Sequence, residues 1–382
     1  MKELLKTTRE VFTRVSYPNG AITASNSSFE SYPKDVKSYD YIWPRDSAYI
    51  CIACDELGMH EIPKKFFEWC LNCAEEFMQK GVFIYHKFLI HGRATGDWDI
   101  SLEIKDVKNK KLIQKLRSQT KVRVYHSNFQ PDHTGSLLWA IEHHSKYEDV
   151  SEFKDMVIKA ANGICKYWKG TTFKIPAHDL WEERTAWPAL NQTHTYSIAM
   201  CKKGLESAEK LFGKKIEWDK CINQMKNKLK GSYLPRTHRF VRTVGKKNDI
   251  KIDSSLLGLV WPTNAFDAKD PRIIQTIEEI ERKCVKNGGV YRYPNDKYDG
   301  RISNHTILLG GAGTWPVLNF WMSIYHSLAG NEEKALKYFN WVIERTDKYF
   351  PEQIKNNKPI SIIPLAWSHA MFVIAGKRLN LF

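Results

Sequence analysis

The chain has no apolar run long enough to span a bilayer. Its first residues, MKELLKTTREVF, mix charge with apolar side chains and lack the continuous apolar core of a secretory signal. No membrane span is expected, and a cytoplasmic address is. Ser/Gly/Pro-rich tracts are also missing, so no flexible linker is expected to divide the chain, and 1–382 reads as a single domain. Zinc-finger, RNA-recognition and basic-zipper motifs are absent, although the net charge is +15. The Lys and Arg residues are scattered, with only short runs such as KNKK (108–111) and GKKND (245–249). That distribution suits a solvated surface, and no nucleic-acid partner is expected. Strand-like alternation is rare and short.

Cysteine is present, and one group of it needs a decision. Cys51, Cys54, Cys70 and Cys73 form two C-x2-C pairs, which meets a zinc-site template. Their context opposes that reading. SAYICIACDELG (47–58) is nearly continuously apolar, and 61–80 repeats apolar residues at helical spacing through Ile62, Phe66, Trp69, Cys70, Cys73 and Phe77. Zinc knuckles need tight turns around each pair, and none is visible. Reduced core thiols are expected in a cytosolic chain, and no metal.

What the chain has in excess is aromatic side chains, 13% of residues with 13 Trp. Flat apolar faces suit a core, and they also suit the C–H faces of sugars. They sit in long helical patterns of two kinds. Six apolar segments, roughly 46–57, 134–144, 195–207, 253–260, 316–329 and 365–377, read as buried helices. Amphipathic charged segments, 1–16, 61–80, 150–168, 215–230, 271–287 and 331–348, alternate with them. Six inner and six outer helices in alternation predict an all-α fold, an α/α six-fold toroid with few short strands in loops. The inner helices would run in parallel and gather their leading loops at one end. Residues 39–46, 130–135, 179–187, 292–315 and 351–353 should then converge on one pocket. The stretch 81–130, not helical in pattern, is expected to hold short strands or a folded loop over it.

Those loops carry the unusual chemistry. HDLWEERTAW (178–187) sets Asp179, Glu182 and Glu183 among Leu180, Trp181 and Trp187. Glycosidic bonds are cleaved by two carboxyl groups, one protonating the leaving oxygen and, in inverting enzymes, the other deprotonating water. Apolar and like-charged neighbours disfavour ionisation, which is what the acid of such a pair requires. By itself the segment equally suits two ordinary acids in the first turn of a helix. Glu352, after Pro351 and before Gln353, is the candidate base; taken alone it equally suits a surface loop. In YDYIWPRD, Arg45 and Asp46 can bracket vicinal hydroxyls, since Asp accepts and Arg donates from a fixed fork. Arg292 and Trp315 would add a donor and a stacking face. GGAG (310–313) lacks the Lys and Ser/Thr of a nucleotide-binding loop and reads as close backbone packing.

Five blocks, YDYIWPRDSA, QPDHTGSLLWAI, DLWEER, GGVYRYPNDKYDG with GTWP, and PEQ followed by PLAWSHAM, resemble glycoside hydrolase family 15, the glucoamylase family. They extend over about residues 18–377. The resemblance implies an α/α toroid and inversion at the anomeric carbon, with β-glucose released from non-reducing ends of α-glucans or malto-oligosaccharides. It implies Glu182 as general acid and Glu352 as general base. It implies that Arg45 and Asp46 hold hydroxyls of the terminal glucose, and that Tyr39, Trp43, Trp181, Glu183, Arg292 and Trp315 wall the first subsites. No cofactor is implied. Neither the N-terminal β-sandwich domain of many prokaryotic members nor a starch-binding module is expected. Trehalose- or dextran-type linkages, a disaccharide phosphorylase and a non-catalytic glucan-binding regulatory domain are the alternatives left open.

Overall fold

A computed structural model describes residues 1–72, 75–95, 129–303, 306–307 and 310–382. The buried helices are α2 (Pro44–Glu56), α5 (Pro131–His144), α7 (Thr195–Phe212), α10 (Pro316–Ala329) and α12 (Ala366–Arg378). The outer series is α1 (Lys2–Val15), α3 (Glu61–Asn72), α4 (Glu75–Lys80), α6 (Lys154–Tyr167), α8 (Ile216–Lys230), α9 (Pro271–Cys284) and α11 (Glu332–Ile343). The two kinds differ as their sequences require. Every residue of α5 is buried, whereas α9 buries one stripe, Ile273, Thr276, Ile277, Ile280 and Cys284.

The inner series closes on itself. α2 packs on α5, α5 on α7, α7 on a short turn at Ser254–Leu259, that turn on α10, α10 on α12, and α12 back on α2. Outer helices cover the joints: α1 lies on α12 and α2, α6 on α5 and α7, and α11 on α10. This is the double ring of an α/α toroid. The fourth inner member differs from the expected helix over 253–260. It is a 3₁₀ turn of six residues, capped by the Asp253 carboxylate accepting from Ser255 N at 2.9 Å. Pro262 explains its brevity, because proline offers no N–H to carry the turn into a helix.

Each inner position sends one aromatic ring to the ring axis: Tyr49, Trp139, Tyr196, Trp261, Trp321 and Trp367. Tyr49 lies 5.3 Å from Trp139, 5.3 Å from Trp367, 6.0 Å from Trp261 and 6.2 Å from Trp321, centroid to centroid. Tyr196 completes the set, 5.7 Å from Trp321 and hydrogen-bonded to Tyr49 through the hydroxyls at 3.2 Å. Tilted and edge-on contacts of this kind are the favoured geometries of aromatic pairs. The rings plug the axis, so the toroid has a floor and not a channel.

The leading ends of the inner helices are set by local chemistry. Proline occupies the first turn of α2, α5 and α10, where its missing N–H costs nothing. The caps before Pro44 and Pro316 are Trp43 and Trp315. Strands occur only as two-stranded pairs in connecting segments, among the described residues. Cys51, Cys54 and Cys70 are buried, and Cys73 lies outside the described residues. No helix among the described residues is long and apolar enough to cross a membrane.

α5 and α7 meet at a glycine contact. A Cβ on Gly135 would stand 2.4 Å from Met200 O, and one on Gly204 would stand 2.7 Å from Gly135 Cα. Both obstacles are backbone and cannot swing aside. Gly135→Ala should therefore lower the unfolding free energy by about 1–3 kcal/mol in urea titration. Gly231→Ala, whose nearest new contact is 3.4 Å, should stay within about 0.5 kcal/mol.

Candidate active site

A cavity of about 550 Å³ opens over the aromatic floor, and Trp367 is part of its lining. All ten residues singled out from the sequence line it: Tyr39, Trp43, Arg45, Asp46, Trp181, Glu182, Glu183, Arg292, Trp315 and Glu352. Of the five segments expected to converge, 130–135 does not reach the lining. Arg45 stands between it and the cavity. Arg45 Nη1 donates to Gln130 Oε1 at 2.8 Å and approaches Asp132 Oδ2 at 3.4 Å and His133 Nε2 at 3.3 Å. Burial, and then the Arg45 charge, hold His133 well below the usual imidazole range, so its ring is neutral and accepts.

The stretch 178–187 is a hairpin, not the first turn of a helix. Ala177 and His178 pair with Ala186 and Thr185, and 179–184 form the tip. Asp179 ties the tip: its Oδ1 accepts from Glu183 N at 2.9 Å and Arg184 N at 3.3 Å, and its Oδ2 from Arg184 Nη1 at 3.3 Å. Glu182 is held there at φ +61°, a left-handed backbone that non-glycine residues adopt at a cost. Trp43 Nε1 donates to Glu182 Oε1 at 2.7 Å. His86 Nε2 lies 3.6 Å from Glu182 Oε2; burial lowers the imidazole pKa, so His86 is a neutral neighbour and not an ion-pair partner.

Glu352 stands one residue before a second hairpin, Gln353–Lys355 with Lys358–Ile360. It is 2% exposed. Tyr39 Oη donates to its Oε1 at 3.0 Å, and Ser361 Oγ donates to Oε2. Burial pushes the carboxyl pKa up, and the Ser361 and Tyr39 bonds oppose that rise by favouring the carboxylate. The neighbouring Gly300 has φ +75°, and a Cβ there would fall 1.8 Å from Ser361 Oγ. Gln353 fastens the same corner, accepting from Gly313 N at 2.7 Å and donating to Tyr298 O at 3.1 Å. A Cβ on Gly313 would sit 2.6 Å from Ile354 O, which is the close backbone approach read from GGAG.

The remaining charges are compensated in place. Arg45 Nε donates to Asp46 Oδ1 at 3.1 Å. Burial raises the Asp46 pKa to about 6, against the pull of Arg45. Arg292, also buried, donates to Glu183 Oε1 at 2.6 Å and to both Asp296 oxygens at 2.7 and 2.8 Å. Its guanidinium lies 4.9 Å from the Trp315 ring and 5.5 Å from that of Trp181. Trp181 Nε1 in turn donates to Asp253 Oδ1 at 2.9 Å. Arg292 thus braces Glu183 and two indoles.

Sequence reasoning missed several lining residues. Tyr298 shares a 2.9 Å hydroxyl contact with Tyr39, and His86, Lys87, Lys37 and Lys297 also face the cavity. Single side chains in loops leave no periodic signal. The loop expected over the pocket at 81–130 does supply His86 and Lys87; residues 96–128 lie outside the described residues.

A ring of paired helices that roofs an aromatic floor with carboxylates and indoles is the architecture of carbohydrate-active toroids. The sequence profile of Glycosyl hydrolases family 15 matches residues 4–377, and the chain belongs to that family. It is 32% identical over 355 residues to an uncharacterised glycosyl hydrolase of Methanocaldococcus jannaschii, covering 88% of this chain and 50% of that protein. It is 24% identical over 380 residues to trehalase 1 of Sulfolobus acidocaldarius (95% and 61%) and 22% identical over 275 to isomaltose glucohydrolase of Kribbella flavida (66% and 65%). The chain therefore spans less than two thirds of the length of each of these relatives. In fold it is similar to a glycosidase solved with glucose, with a TM-score of 0.75 at 18% identity over 100% of this chain and 98% of that one. A bacterial glucoamylase complexed with acarbose gives 0.68 at 15% identity, covering 97% and 55%.

Asp179→Ala would strand the two amide donors and the Arg184 charge at the hairpin tip. Unfolding free energy should drop by about 1–3 kcal/mol in denaturant titration, with Asp179→Asn recovering part of the loss.

Proposed function

We propose that this chain is an inverting, exo-acting α-glucoside hydrolase that releases β-D-glucose from non-reducing ends. One observation carries the reading: Glu182 and Glu352, 170 residues apart in sequence, line the same sugar-sized cavity on separate hairpins. Glu182, whose side chain is 22% exposed, is the general acid and protonates the leaving oxygen. Glu352, deeper, is the general base that takes a proton from water as its oxygen attacks the anomeric carbon from the opposite face. Ser361 and Tyr39 favour the carboxylate form of Glu352 and so oppose burial, which raises its pKa. Arg45 and Asp46, beside Trp367, hold hydroxyls of the terminal glucose, and Trp43, Trp181 and Trp315 supply its walls. Glu183 and Arg292 keep those walls in position.

Exo-action is supported by the closed floor, which leaves one sugar end-on to the plug and its neighbour toward the mouth. The family, and relatives named for trehalose and isomaltose, support an α-glucoside as substrate. Glu352 speaks against a phosphorylase, because phosphate needs no base to attack. It speaks equally against a domain that only binds glucan.

Proton NMR of the first product from maltose, isomaltose or trehalose should show β-glucose ahead of mutarotation; prompt α-glucose overturns inversion. Glu182→Gln and Glu352→Gln should each lower kcat by about 10²–10⁴-fold with the fold intact by circular dichroism. Asp46 accepts sugar hydroxyls more strongly, and through both oxygens, as the carboxylate. With its pKa raised to about 6, glucose affinity measured by calorimetry should be full above that pH and decline as pH falls through it. Asp46→Asn should flatten that decline at a lower affinity.

A further inference from the structure

Three ammonium groups in the cavity wall have no task in a reaction on a neutral sugar. Lys37, Lys87 and Lys297 all line it. None has a carboxylate within ion-pair distance among the described residues. Every other cation of the site is spoken for: Arg45 by Asp46 and Asp132, and Arg292 by Glu183 and Asp296.

Each lysine springs from a braced segment of backbone. Lys37 follows Val36, which bridges to Arg301, and Lys87 precedes Phe88, which bridges to Ile42. Lys87 is half-buried, with its Nζ 4.7 Å from the Tyr41 ring centroid and 5.8 Å from that of Trp43. Lys297 lies between Asp296, bound to Arg292, and Tyr298, bound to Tyr39. Lys37 and Lys297 are exposed, and Lys87 alone of the three is half-buried. Here Lys87 feels both Glu182 and the like charge of Lys37: burial lowers its pKa, the attraction of Glu182 opposes that, and the repulsion of Lys37 adds a smaller lowering. Lys37 and Lys87 are like charges close enough to repel on one cavity lining, and an arriving anion relieves that repulsion.

Glu182 fixes the direction. The acid protonates the leaving oxygen, so a cation within its electrostatic reach belongs to the leaving-group side of the scissile bond. We propose that the preferred substrate is an α-glucoside whose leaving group carries a phosphate or carboxylate, bound by Lys37, Lys87 and Lys297. This rests on the hydrolase reading above. The chemistry is unchanged: water adds to the anomeric carbon, Glu352 takes its proton, and the glycosidic C–O bond breaks. The leaving oxygen receives the proton of Glu182, and the anionic group departs intact on the aglycone.

The test compares kcat/KM for glucose release from matched pairs: maltose with maltobionate, isomaltose with isomaltobionate, and trehalose with trehalose 6-phosphate. At 50 mM NaCl the anionic member should lead by about tenfold in at least one pair, and 500 mM NaCl should shrink the lead by screening. The bionates and the phosphate ester separate the two anion classes. Lys37→Ala with Lys297→Ala should cut the anionic-to-neutral ratio several-fold, and the double Arg variant should preserve it. Equal rates within every pair, or a ratio indifferent to salt and to the lysines, overturns the proposal while glucose release sustains the hydrolase reading. No glucose from any of the six compounds removes both.

Discussion

The aromatic plug is the constraint on which the rest of the molecule depends. Six inner segments can stand in a ring only if something fills the axis, and one ring from each segment does so. Aromatic side chains supply large buried area with two rotatable bonds, so little side-chain entropy is lost for each ring fixed. The plug is also the floor of the cavity, through Trp367, over which the Arg45 guanidinium lies at 5.2 Å. Packing and site therefore share a surface. The fold cannot relax at its centre without moving groups that line the cavity.

Above that floor the site places strain where position matters. Glu182 keeps a left-handed backbone in a hairpin tip that the Asp179 carboxylate ties together. Glu352 is buried against its own charge, and two hydroxyl donors offset part of that cost. Neither arrangement stabilises the chain. Each is sustained by rigid neighbours, the ring below and the hairpins on either side, as strained functional geometry generally is.

The double ring was legible in sequence because buried and surface helices have different patterns: apolar all round in α5, one stripe in α9. The meeting of distant loops followed from topology, since parallel inner helices put their leading ends together. Three features were not legible. Pro262 shortened the fourth inner member to a 3₁₀ turn, although its residues looked helical. Residues 130–135 fell behind Arg45, because loop proximity does not say which side chain stands in front. Tyr298, His86 and the three lysines escaped notice because an isolated side chain in an aperiodic loop carries no pattern. The sequence at 178–187 suits both a helix start and a site loop, and the pairing of Ala177 and His178 with Ala186 and Thr185 makes it a hairpin.

The two carboxylates ride on separate hairpins that leave one end of the ring, and the bridges Thr314 to Ile354, Val36 to Arg301 and Ile42 to Phe88 stitch neighbouring loops together. Depth and mouth are thereby uncoupled. The plug sets the depth of the cavity, while the loops determine what flanks its mouth. A lineage can lengthen, recharge or exchange the rim without repacking the helices, and so reshape the mouth while inheriting the same toroid.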